Sequence, residues 1–97
     1  MENRKIVWSI EANKDIDEIF YEMTLYSDVY ARNWADNLYK NLELLEKFPE
    51  MGRIVPEKEI HFLREIIVAK YRIIYLITEE QLKIVRVQHS SIPLGKI

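Results

Sequence analysis

Cysteine is absent from the 97 residues, and glycine occurs only twice, at Gly52 and Gly95. Without cysteine there is no disulfide framework, thiolate nucleophile or cysteine metal site, which fits a reducing compartment such as the cytoplasm. Two glycines cannot build a glycine-rich phosphate loop. Histidine is equally scarce: His61 and His89 lack metal-ligand spacing, and no acidic pair joins them in a recognisable motif. The longest apolar run, Ile73 to Ile77, is far short of the roughly 20 residues of a membrane span. The opening MENRKIVW has no apolar signal core. These absences point to a cytoplasmic protein with no membrane contact, no metal and no cofactor.

What is present is a globular composition, 48% hydrophobic and 11% aromatic, too apolar for a disordered chain. One domain, residues 1–97, is expected, burying roughly 60–65% of its unfolded surface. Net charge is −2, a weak argument against indiscriminate nucleic-acid binding. Its distribution says more: residues 1–52 carry 6 Lys/Arg against 11 Asp/Glu, whereas residues 53–97 carry 8 against 5. The C-terminal half is the place where a polyanion or an acidic partner segment would be felt.

Lys5-Ile6-Val7-Trp8 reads as an opening strand, and Ser9 as a helix N-cap. Ala12, Ile16, Ile19, Phe20 and Met23 then recur at threes and fours, the stripe of an amphipathic helix. Ser27-Asp28 breaks it. Ala31, Trp34, Ala35, Leu38, Leu42 and Leu45 carry a second stripe, which stops at Phe48-Pro49. Ala12 to Lys47 is therefore expected to form an αα-hairpin with a joint of two or three residues. Pro49 to Phe62 reads as a surface loop. Leu63 to His89 is dense in β-branched and aromatic residues, cut at Ala69-Lys70 and at Thr78 to Gln81, and predicts a three-stranded antiparallel meander. From about Ser90 the tail has no periodicity. The fold class is α+β, β-α-α-β-β-β, with the helical hairpin on one face of a small four-stranded antiparallel sheet.

Arg72 is the residue of greatest chemical interest. Alternation puts Tyr71, Ile73, Tyr75 and Ile77 on one sheet face, and Arg72, Ile74 and Leu76 on the other. A guanidinium in a central strand must reach solvent, a carboxylate or a phosphate. Either it pairs with a helix acid such as Glu18 or Glu22, or it grips a phosphate on an open face. Arg64 has Glu65 nearby as a cross-strand partner. His89 closes the last strand, as an edge cap or a general base. Lys83 and Arg86 read as solvated, and Tyr21, Tyr26, Tyr30 and Tyr39 as packing residues with wet hydroxyls. A Ser-His-Asp site would have to draw on Ser90 or Ser91 beside His89, and sequence neighbours rarely achieve that geometry.

The ordered set resembles the RelE/ParE toxins of type II toxin–antitoxin pairs. It comprises Ser9, Ala12, Asp15-Ile16, Phe48-Pro49-Glu50-Met51-Gly52-Arg53, Leu63-Arg64-Glu65, Tyr71-Arg72-Ile73-Ile74-Tyr75 and Val87-Gln88-His89. The resemblance implies a bacterial or archaeal growth inhibitor, of a kind tied to plasmid stabilisation. A cognate antitoxin would neutralise it and provide its only route to operator DNA. RelE-like members cut mRNA on the ribosome; ParE-like members inhibit DNA gyrase. For the first activity, Arg64 and Arg72 match positions that contact RNA phosphate, and His89 matches a histidine near the site, making these three the catalytic candidates of a metal-independent endoribonuclease.

The sequence departs from the nuclease pattern after His89. Ser90 and Ser91 stand where a further Arg, His or Tyr is expected, and no tyrosine follows Tyr75. An acidic total also suits a ribosome ligand poorly. The expectation is therefore a ParE-like gyrase inhibitor that acts by protein binding. The alternatives are a RelE-like endonuclease and a degenerate member that retains only antitoxin binding. The antitoxin is expected to dock on the basic half through an amphipathic, acidic segment.

Overall fold

The computed structural model describes residues 4–95, so the last two tail positions, Lys96 and Ile97, lie outside it. The elements run β1 (Lys5–Trp8), α1 (Ile10–Tyr26), α2 (Asp28–Lys47), a 3-10 turn at Pro49–Met51, β2 (Arg53–Ile54), β3 (Leu63–Val68), β4 (Tyr71–Ile77) and β5 (Gln81–His89). Both helices start on serine caps: Ser9 Oγ accepts from the Ala12 N–H at 3.0 Å, and Ser27 Oγ from the Tyr30 N–H at 3.1 Å. Ser27 alone joins the helices, because one extended residue serves as the C-cap of α1 and the N-cap of α2.

The β3–β4–β5 meander is antiparallel as expected, but the sheet is larger and mixed. It has five strands in the order β1-β5-β4-β3-β2, with β1 parallel to β5. The fifth is β2, a two-residue strand inside the expected surface loop, paired with Glu65 and Arg64 of β3. In the β3–β4 hairpin, Ala69 sits at φ 56°. This is the left-handed conformation that a two-residue hairpin turn demands and that costs a non-glycine residue about 1 kcal/mol. A bulge between β4 and β5 leaves Val85 unopposed, since Ile74 faces Arg86 and Tyr75 faces Ile84.

Both sheet faces are covered, by different means. Under the helices, Ala12, Trp34, Leu38, Leu42 and Leu45 pack on Val68, Ile73, Tyr75, Leu82, Ile84 and Val87. Ala12 and Ala31 are fully buried, their small side chains letting the helix backbones approach the sheet. On the outer face a second core joins Val55, Leu63, Ile74 and Leu94. Leu94 belongs to the irregular tail, which crosses this face rather than trailing away.

Candidate functional site

Arg72 lies beneath the tail on the outer face and is 4% exposed. Its partners are not the helix acids Glu18 and Glu22, which belong to the other side of the sheet. Nε donates to Glu65 Oε1 at 2.7 Å, while Nη1 and Nη2 donate to Glu57 Oε2 and Oε1, both at 2.8 Å. The two-residue turn at Ala69-Lys70 explains Glu65: it sets Ile67 opposite Arg72 and Ile74 opposite Glu65, so Glu65 and Arg72 are diagonal neighbours on one face. Glu65 Oε2 also accepts from Arg53 Nε at 2.6 Å. Two arginines and two glutamates thus form a neutral chain across the outer face.

The tail completes this cage. The Leu94 N–H donates to Glu57 Oε2 at 2.9 Å, and the Ile92 carbonyl accepts from Gln88 Nε2 at 2.8 Å and from Arg72 Nη1 at 3.4 Å. The Arg72 guanidinium, aided by the Leu94 N–H, holds the Glu57 carboxyl down at about 2. The two carboxylates in turn hold Arg72 more firmly protonated than usual. Every guanidinium nitrogen is spoken for.

Arg64 and His89 are elsewhere. Arg64 shares its row with Ile66 and Val68, on the helix side of β3, and does not pair with Glu65. Its Nη1 donates to the Gly52 carbonyl at 3.0 Å and its Nε to the His61 carbonyl at 3.1 Å. His89 is also on the helix side, its ring edge-on to Tyr71 at 5.5 Å. The His89 Nδ1 accepts from the Ser91 N–H at 3.1 Å and contacts Ser91 Oγ at 2.7 Å. The three candidate residues therefore do not converge: Arg72 is on one face, Arg64 and His89 on the other.

A cleft of about 390 Å³ beside His89 is lined by Tyr71, Asp15, Glu18, Glu22 and Arg86 among others. Burial pushes the Tyr71 hydroxyl up, which suits a packed ring better than a proton carrier. Arg86 is not merely solvated. It pairs with Asp15 at 2.8 Å, and the same carboxylate accepts from the Val87 N–H at 2.9 Å. Asp15 thus occupies the free edge of β5 beyond the end of β1, where an unpaired amide would otherwise be left. Nothing in the local pattern around Asp15 foretells this pairing, which joins residues 71 positions apart.

A much larger groove, about 670 Å³, opens between α1 and α2 over Ile6 and Trp8 of β1. Ile16 and Phe20 line it, with the buried Trp34 and Leu42 at its base. Tyr21 and Tyr39 also line it and are 64% and 70% exposed; Tyr26 and Tyr30 are likewise exposed. These tyrosines do not pack into the core as the sequence suggested. They offer their rings to solvent.

A family model described as the ParE toxin of the type II toxin–antitoxin system parDE matches residues 6–93. The chain belongs to this family. Two solved structures share the chain's fold. One is titled the chromosomal ParDE TA system from P. aeruginosa, with TM-score 0.68, 16% identity and coverage of 89% of this chain and 95% of that one. The other, the E. coli DinJ-YafQ toxin–antitoxin complex, gives 0.64, 17%, 92% and 94%. A comparison with curated proteins finds no match.

In this chain the Phe48-Pro49-Glu50-Met51-Gly52-Arg53 element is a structural latch. Tyr75 Oη donates to the Pro49 carbonyl at 2.7 Å and accepts from the Gly52 N–H at 3.0 Å. A Cβ on Gly52 would lie 2.5 Å from that hydroxyl and 2.6 Å from the Glu65 carbonyl, so only glycine fits. The matched tyrosine and glycine thus tie the end of the helical hairpin to the sheet.

Proposed function

We propose that this ParE-family chain is a toxin neutralised by a cognate antitoxin and that it acts by binding its target protein, DNA gyrase, rather than by cutting RNA. The observation that carries this reading is the state of Arg72. A guanidinium that is to stabilise a phosphate must present free N–H donors to it, and here those donors are closed off by Glu57, Glu65 and the tail. Arg64 is spent on loop carbonyls, and His89 lies on the opposite face from Arg72. General acid–base work at a 2′-hydroxyl needs groups within hydrogen-bond reach of one phosphate, which this arrangement does not offer. Gyrase as the target follows from kinship with ParE toxins, and the antitoxin from the family and from the complexes in which both structural relatives occur.

The deciding experiment measures gyrase supercoiling with the purified chain and message integrity after its induction in cells. Loss of supercoiling with intact messages is expected. Unaffected gyrase at growth-arresting concentrations, or ribosome-bound message cut on induction, overturns the reading.

A further inference from the structure

Strand β2 closes one side of the sheet, and its outer edge is uncovered. The Val55 N–H donates to the Leu63 carbonyl at 3.2 Å, so these two residues face each other as a hydrogen-bonded pair. In an antiparallel ladder such pairs alternate with pairs whose amides and carbonyls point outward. Ile54, opposite Arg64, is therefore the residue that turns its N–H and C=O away from β3, and among the described residues neither group has a partner. On both sides of it the backbone is engaged. The Gly52 N–H bonds to Tyr75 Oη and the Gly52 carbonyl to Arg64, while the Val55 carbonyl accepts from the Lys58 and Glu59 amides. The edge thus offers one donor and one acceptor, both on Ile54.

An apolar patch surrounds that residue. Ile54 shares the helix-side row with Arg64 and Phe62. The Arg64 guanidinium bonds to the carbonyls of Glu50, Gly52 and His61. It thereby draws together the turn that carries Phe48 and Met51 and the loop that carries Ile60 and Phe62. These five apolar side chains are between 37% and 58% exposed, which leaves on the order of 500 Å² of apolar surface in contact with water.

We propose that this edge pairs with the same edge of a second copy of the chain, Ile54 against Ile54 about a two-fold axis. A two-fold antiparallel neighbour sets one donor and one acceptor against one acceptor and one donor, so both hydrogen bonds form and no further backbone group faces the seam. A longer strand from another protein would find a single residue to pair with and would leave its own groups unmet on either side. Two copies of the patch amount to about 1,000 Å², the lower bound for a specific interface. An isologous contact must also tolerate its own charges. Residues 47–64 hold four Lys/Arg and three Glu, and Arg53 and Arg64 are already engaged by Glu65 and by the loop carbonyls. The product is one continuous sheet made from two five-stranded ones, with both helical hairpins on the same side. This association goes beyond the toxin reading and holds whatever the target.

The test measures the mass of the purified full chain by light scattering across the micromolar range. The mass is expected to rise with concentration from one chain toward two, as suits an interface of minimal area. Ile54→Glu places like charges directly opposite each other across the seam, beside an Arg64 that keeps them compatible with the single chain, and is expected to remain at the mass of one chain throughout. A second arm uses the absence of cysteine. A hydrogen-bonded antiparallel pair holds its Cα atoms about 5.5 Å apart, within disulfide reach. Ile54→Cys is therefore expected to cross-link under mild oxidation at least roughly tenfold faster than Tyr26→Cys, a more exposed site at the joint of the hairpin. A wild-type chain that stays at the mass of one copy overturns the proposal. So does an Ile54→Glu variant that still associates, or cross-linking at position 54 no faster than at position 26.

Discussion

Arg72 and Glu65 are deeply enclosed, at 5% and 0% side-chain exposure, and removing Arg72 leaves Glu65 and Glu57 with only Arg53 between them. Breaking a buried pair in that way costs about 3–5 kcal/mol. Arg72→Ala is therefore expected to lower stability by that order in urea denaturation, and Arg72→Met with Glu65→Met by clearly less. A phosphate-binding arginine on an open face would show little loss for either, which makes the measurement a second check on its role. Glu57 adds a pH signature. Its carboxyl falls from an ordinary 4.5 to about 2 on folding, so it contributes stability that is fully present above about 4.5 and is lost as pH falls toward 2. Thermal unfolding between pH 5 and 2 should be less steeply pH-dependent in Glu57→Gln, and an unchanged slope would mean that the Arg72–Glu57 pair does not persist in solution.

Among the elements, the tail from Ser90 to Gly95 does most with least regular structure. Leu94 is 8% exposed against Val55, Leu63 and Ile74, and its amide anchors Glu57. Truncating a buried leucine costs about 2–5 kcal/mol, less where the site collapses, and a strap at the surface can collapse. Leu94→Ala is expected at the low end of that range, with faster amide exchange in β4 and in the loop bearing Glu57. Exchange unchanged there would show that the strap does not stabilise the outer face. The helices and meander were legible because three-four and two-residue periodicities are local. The strap was not, because Pro93-Leu94-Gly95 reveals its partners only once β3 and β4 are placed. Strand β2 escaped for a related reason: two residues between Gly52 and Pro56 carry no period. Glu65 could have been found, since the two-residue turn at Ala69-Lys70 fixes the register that brings it diagonal to Arg72. Glu57, fifteen positions from Arg72 across an irregular loop, had no such signal.

For the whole molecule, the charge asymmetry visible in the sequence takes a different meaning once folded. The arginines of the C-terminal half are tied up in pairs and bonds: Arg53 and Arg72 with glutamates of the same half, Arg64 with carbonyls, and Arg86 with Asp15 of the other half. In the N-terminal half, Asp17, Glu43 and Glu46 stand beside the groove between α1 and α2, and Glu18 and Glu22 beside the cleft at His89. A sum over sequence halves cannot distinguish charges that cancel inside the fold from charges left to meet a partner.

The pairing of β1 with β5 joins Lys5 to Gln81, almost the full span of the chain. A contact of such long sequence separation forms late, because its loop-closure entropy must be met before the pairing is rewarded. During synthesis the helical hairpin emerges first, with the apolar underside that carries Trp34, Leu38 and Leu42 uncovered until the meander exists. A nascent hairpin therefore exposes side chains destined for the core, and they gain their cover only when residues 63–89 have been made and paired.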